Sequence, residues 1–143
     1  MKTMKIAQLH RLLLALTLVA FIAPRLGNAA EPIAPQVIGL MFHSDHCGSC
    51  KVLDPKIKAA QASFAKEPIL FLTFDHTDAA TQMQAALLAD ATGMGEVYVA
   101  QSKANGFMLL VDPKSGEVVA KLSRDMSVAE IETAILKAFR RSA

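Results

Sequence analysis

The stretch Val37-Ile38-Gly39-Leu40-Met41-Phe42-His43-Ser44-Asp45-His46-Cys47-Gly48-Ser49-Cys50-Lys51-Val52-Leu53-Asp54-Pro55 decides how the rest of the chain is read. Val37 to Phe42 is a nearly unbroken apolar run containing Val, Ile and Phe, the pattern of a strand buried on both faces. It stops just before Cys47 and Cys50, the 2 cysteines of the chain. From Gly48 to about Lys66, Leu53, Ile57, Ala60 and Phe64 recur at helical spacing and form one apolar stripe. Pro55 falls inside that helix, removes one backbone hydrogen bond and predicts a kink. The cysteines therefore fall at a strand-to-helix junction, where open backbone N–H groups and the helix dipole favour a thiolate at Cys47.

Two thiols separated by two residues can act as a redox couple, with one sulfur attacking a disulfide and the other resolving the mixed species. Other uses of the spacing stay open to different degrees. A zinc ribbon needs further Cys or His ligands downstream, and no third cysteine exists. Attachment of c-type haem needs His after the second cysteine, where Lys51 stands. A purely structural disulfide closing so short a loop removes little chain entropy. Metal binding draws on a wider set: His43, His46, Cys47 and Cys50 supply two imidazoles and two thiols that suit Cu(I) or Zn.

Residues 1–30 read as a secretory signal peptide. Lys2, Lys5 and Arg11 make a basic start, Leu12 to Ala23 is apolar but short for a bilayer span, and Gly27-Asn28-Ala29 offers small residues for cleavage after Ala29 or Ala30. Arg25 keeps an uncleaved anchor open as the alternative. Loss of Lys2, Lys5, Arg11 and Arg25 leaves 11 basic against 13 acidic residues, a net charge of −2, so the basic balance of the full chain gives no support for nucleic-acid binding. The expected mature chain is one domain, residues 31–143, with no stable membrane span, in a periplasmic or secreted setting.

Downstream, Pro68 ends the first helix, and Ile69 to Phe74 forms a second strand ending at Asp75. Thr77 or Asp78 caps a helix to about Ala91, with Met83 and Leu87 expected on its inner face. Val97 to Ala100 is too short to assign. Phe107 to Val111 and Glu117 to Leu122 flank Asp112-Pro113-Lys114-Ser115-Gly116 as a hairpin. Ser127-Val128-Ala129-Glu130 matches a capping box and opens a last helix with Ile131, Ile135 and Phe139 facing inward. The order is that of an α/β sandwich with one mixed sheet.

From about residue 36 to 141 the chain resembles the thioredoxin superfamily, in particular secreted, single-domain bacterial thioredoxin-like proteins. The matching features are the strand leading into Cys47-Gly48-Ser49-Cys50-Lys51, Pro55 five residues later, the βαβ half, and the final hairpin and helix. The resemblance implies a three-layer sandwich with a central mixed β-sheet flanked by helices. It also implies a thiol-disulfide oxidoreductase without a bound cofactor, with Cys47 as nucleophile and Cys50 as resolving thiol, joined as a disulfide when oxidised. Protein disulfides would be the substrates, and a membrane thiol-disulfide relay the electron donor. Reduction is expected over oxidation, because Gly48-Ser49 lacks the histidine of strongly oxidising relatives.

Three positions depart from the family pattern. His46 replaces the usual tryptophan and is a candidate thiolate stabiliser, since imidazole titrates near neutral pH. Met41 stands where relatives often carry a buried acid, and Asp75 with His76, at the neighbouring strand end, is the candidate proton-transfer pair in its place. Gly106 takes the place of the cis-proline, with Phe107 beside it as candidate substrate-binding residues, and the Asn105–Gly106 bond is expected to be trans. The loop from Gly93 to Gly106, with Tyr98, is expected to shape the face beside Cys47. Asp54 reads as a solvated helix residue. Besides metal capture, a non-catalytic interaction domain is the remaining alternative.

Overall fold

A computed structural model describes residues 33–142; the signal-peptide reading of residues 1–30 lies outside them. The elements run β1 (Val37–His43), α1 (Gly48–Ser63), β2 (Ile69–Asp75), α2 (Ala79–Ala91), α3 (Gly95–Gln101), β3 (Phe107–Val111), β4 (Val118–Ser123) and α4 (Val128–Ser142). The sheet order is β2-β1-β3-β4. β1 and β2 are parallel, with His43 opposite Asp75, while β1–β3 and β3–β4 are antiparallel. The sheet is therefore mixed.

Strand alternation sends successive residues of β1 to opposite faces. Val37 and Met41 join Leu53, Ile57, Leu110, Leu122, Ile131 and Ile135 under α1 and α4. Ile38, Leu40 and Phe42 join Phe74, Ala85, Ala89, Tyr98 and Phe107 under α2 and α3. Two cores on one sheet make three layers, and they explain why β1 and β3 are apolar at nearly every position: both strands are covered on both sides.

Several expectations are corrected. Met83 and Leu87 are 63% and 64% exposed, and Ala85 and Ala89 face the sheet instead. The aromatic rings of Phe42, Phe74 and Tyr98 already fill that layer, leaving room under α2 for small side chains. The unassigned Val97–Ala100 stretch belongs to α3. Helix α1 contains Pro55, as expected, but ends at Ser63 with Phe64 as its cap, short of Lys66. Tyr98 does not flank Cys47; it is buried among Phe42, Phe74 and His76 in the second core.

Candidate thiol site at the sheet edge

The turn after β1 carries the chain from sheet to helix within four residues. Cys47 N–H donates to the Ser44 carbonyl at 3.0 Å, closing the turn. Cys47 then takes an extended conformation as the N-cap of α1, and its sulfur accepts the Cys50 N–H at 3.2 Å. An N-cap acceptor satisfies a backbone donor that the helix itself leaves open, and negative charge on that sulfur meets the positive end of the helix dipole. Cys47 is half-buried, whereas Cys50 is 0% exposed.

Both sulfurs are free thiols. Cys50 Sγ points at the Phe42 carbonyl at 3.8 Å. Burial above all, then the hydrogen bond with Cys47, push the Cys50 thiol up to about 12, and the nearby charge of Asp54 adds to the rise. At neutral pH the Cys50 thiol is therefore held protonated. The pair is thus asymmetric in access, and burial keeps the inner thiol protonated.

Gly106 closes one side of the site. Its N–H donates to the same Phe42 carbonyl at 2.8 Å, and its φ is +88°, a conformation open chiefly to glycine. A Cβ there would lie 2.6 Å from Ser49 Cβ and 3.0 Å from Cys47 Sγ, so the backbone approaches the sulfur as only a residue without a side chain can. No peptide bond among the described residues is cis, in agreement with the expected trans bond before Gly106. Phe107, expected to meet substrate, is instead buried, with its ring stacked on Phe42 at 5.0 Å and Lys121 Nζ 4.0 Å from its centroid.

The remaining candidates separate. His46 is exposed beside Cys47, its backbone N–H on Ser44 Oγ at 3.3 Å. Asp75 Oδ1 accepts from both the N–H and the hydroxyl of Thr77, at 2.8 and 2.5 Å. Burial by itself would push the carboxyl up, but the Thr77 bonds outweigh burial and hold it below its usual range, which makes Asp75 a weak proton acceptor. The His76 ring packs edge-on to Phe42 and Tyr98 in the core opposite Cys50, with neither nitrogen hydrogen-bonded. The expected Asp75–His76 proton pair is therefore not assembled at Cys50.

Asp54, expected to be solvated, is half-buried, and its Oδ2 meets His43 Nδ1 at 3.0 Å while His43 Nε2 meets Asp45 at 3.1 Å. Its position four residues after Cys50, on the same helix face, was the available signal in the sequence. Among the described residues no three His, Cys, Asp or Glu side chains are arranged to hold a metal ion, and His43 of the four-ligand set is turned to carboxylates.

No family model matches the sequence, and no curated protein matches it. Solved structures do share its architecture. A thiol:disulfide interchange protein of the thioredoxin family from Chlorobium tepidum TLS aligns at a TM-score of 0.50 and 15% identity over 73% of this chain and 80% of that one. MTB DsbF, solved in mixed oxidized and reduced forms, aligns at 0.50 and 17% over 73% and 82%. Tryparedoxin II from C. fasciculata aligns at 0.50 and 16% over 71% and 74%. The chain has the thioredoxin-like fold.

Proposed function

We propose that this thioredoxin-like chain is an exported thiol-disulfide oxidoreductase that reduces disulfides in protein substrates. The observation that carries the reading is the asymmetry of the dithiol: a half-buried sulfur capping α1, and behind it a fully buried thiol held protonated. An accessible, dipole-stabilised thiolate at Cys47 attacks a substrate disulfide, forming a mixed disulfide and releasing the first substrate thiolate. Cys50, protected from solvent oxidants and competing thiols, then attacks Cys47 Sγ, forms the Cys47–Cys50 disulfide and expels the second substrate thiolate. A dithiol donor returns two electrons before the next cycle, and in an oxidising compartment a membrane thiol relay suits that role. No helix among the described residues is long and apolar enough to cross a membrane.

Substrates that fit this site present a disulfide on an accessible, extended segment, because Gly106 brings backbone directly against the attacking sulfur. His46 beside Cys47 adds positive charge when protonated and so favours the thiolate. Export rests on the basic and apolar pattern of residues 1–30, and N-terminal sequencing of the mature protein should begin at Ala30 or Glu31.

Trapping tests the assignment of roles. Cys50→Ser should accumulate mixed disulfides with substrate proteins, and Cys47→Ser should abolish reduction of a protein disulfide in a dithiothreitol-coupled assay. Full activity in Cys47→Ser would overturn the reading. Reduced protein that keeps one Cu(I) or Zn per chain through desalting, with retention lost in Cys47→Ser, Cys50→Ser and His46→Ala, would replace it by metal handling.

A further inference from the structure

Cys50 and Asp54 stand one turn apart on α1, and consecutive residues of β1 receive them: the Phe42 carbonyl faces the thiol at 3.8 Å, and His43 Nδ1 meets Asp54 Oδ2 at 3.0 Å. Helix positions four apart hold their Cβ atoms about 5–6 Å apart, so carboxylate and thiol share one face of α1, and the charge of Asp54 reaches Cys50. Its other oxygen, Oδ1, is buried and has no hydrogen-bond partner. A buried acceptor left open is costly, and such an atom beside a buried proton donor calls for an explanation. The same carboxylate, with His43, Met41, Ile57, Lys58 and Gln61, lines a cavity of about 250 Å³. That volume accommodates water.

We propose that Asp54, held in place by His43, is the proton acceptor for Cys50 when the mixed disulfide is resolved. The inference rests on the disulfide-reductase reading above. With Cys47 Sγ bonded to a substrate sulfur, the Cys50 S–H bond breaks and its proton passes to Asp54 Oδ1, directly or across one water. The electron pair left on Cys50 forms the Cys47–Cys50 bond. The bond from Cys47 to substrate breaks, its pair leaves on the substrate thiolate, and that thiolate takes a proton from solvent. The dithiol loses two electrons and the substrate disulfide gains them. Asp54 then gives up its proton through the water-sized cavity.

His43 is a positioning residue. Its two nitrogens face two carboxylates, Asp54 and Asp45, and both contacts are hydrogen bonds at once when the ring carries both protons. This clamp occupies Oδ2 and leaves Oδ1 without a hydrogen-bond partner. The charged and titratable groups around Asp54 are His43 from β1, with Cys50 and Lys58 from α1. Asp75, on the neighbouring strand, has its own oxygen taken by Thr77.

The experiment is single-turnover reduction of 5,5′-dithiobis(2-nitrobenzoate) by the reduced protein, in which attack by Cys47 releases one coloured thiolate and resolution by Cys50 releases the second. In Asp54→Asn the first phase should be unchanged and the second slowed about 10- to 100-fold at neutral pH. A purely electrostatic role has the opposite sign: Asn removes a negative charge that opposes ionisation of Cys50, so the second phase would quicken. A second phase as fast as, or faster than, the parent's overturns the proposal and leaves the reductase reading intact. Absence of the first phase in the unaltered protein overturns both.

Discussion

Cys47 and Cys50 are chemically identical and three residues apart, and their difference comes from which backbone groups each one meets. Cys47 accepts an N–H at the open end of a helix; Cys50 is sealed beneath it, faces a carbonyl, and feels the charge of Asp54 one turn on. Each of those neighbours opposes charge on Cys50. In the reduced protein Cys47 should therefore be alkylated by iodoacetamide at least tenfold faster than Cys50 near neutral pH, about the difference one unit of acidity makes; equal rates, read by mass spectrometry of the peptides, would contradict the burial. The same shift has a stability consequence. An unfolded cysteine ionises near its ordinary value while folded Cys50 stays protonated up to about 12, so below the ordinary value both states hold the proton and the contribution is fully present. It is lost as pH rises toward about 12. In a Cys47→Ser background, which cannot form the disulfide, urea midpoints should fall more steeply from pH 8.5 to 10.5 with Cys50 present than with Cys50→Ala, by a margin on the order of 1–2 kcal/mol.

At the scale of elements, the site is the meeting of three ends: the C-terminal end of β1, the N-terminus of α1 and the start of β3. One carbonyl, that of Phe42, receives both the Cys50 thiol and the Gly106 N–H, and so ties the helix and the third strand to the first. Gly106 makes this junction possible through its positive φ and its lack of a side chain. Gly106→Ala should destabilise the protein by about 1–3 kcal/mol, since it adds both a left-handed strain and a clash with Ser49 and Cys47. Gly106→Pro should cost more, because proline fixes φ near −65° and has no N–H for Phe42. Chemical denaturation measures the first difference; a stability within about 0.5 kcal/mol of the parent would show that the backbone does not approach the sulfur as described. Helix α2 illustrates a separate point, because its most hydrophobic residues, Met83 and Leu87, face outward while its alanines pack inward.

For the whole molecule, one sheet supports two cores of different character. The layer under α1 and α4 is aliphatic and contains the buried thiol, while the layer under α2 and α3 is aromatic and contains His76. Phe42 is the hinge between them, its ring in the aromatic core and its carbonyl at the thiols. Phe42→Ala should lower unfolding free energy by about 3–5 kcal/mol, against a change within about 0.5 kcal/mol for Met83→Ala, when both are measured by urea denaturation. Similar losses at the two positions would reverse the assignment of the inner face of α2.

The strand-to-helix junction, the hairpin around Asp112 to Gly116, and the position of the dithiol were legible in the chain alone because they depend on local periodicity and turn chemistry. Runs such as Val37 to Phe42 and Phe107 to Val111 leave little choice but a doubly covered sheet, and Cys47 and Cys50 can only sit where β1 gives way to α1. What local pattern could not carry was direction across space. Asp54 and Asp75 are both carboxylates near element ends, yet Thr77 occupies one and the other is clamped by His43 beside the buried thiol. His76 turns into the aromatic core and His43 toward α1, although both lie at the C-terminal ends of neighbouring apolar strands. Those choices depend on strand register, on which layer already holds bulky rings, and on which polar atom finds a partner once water is excluded, and only the packed tertiary structure decides them.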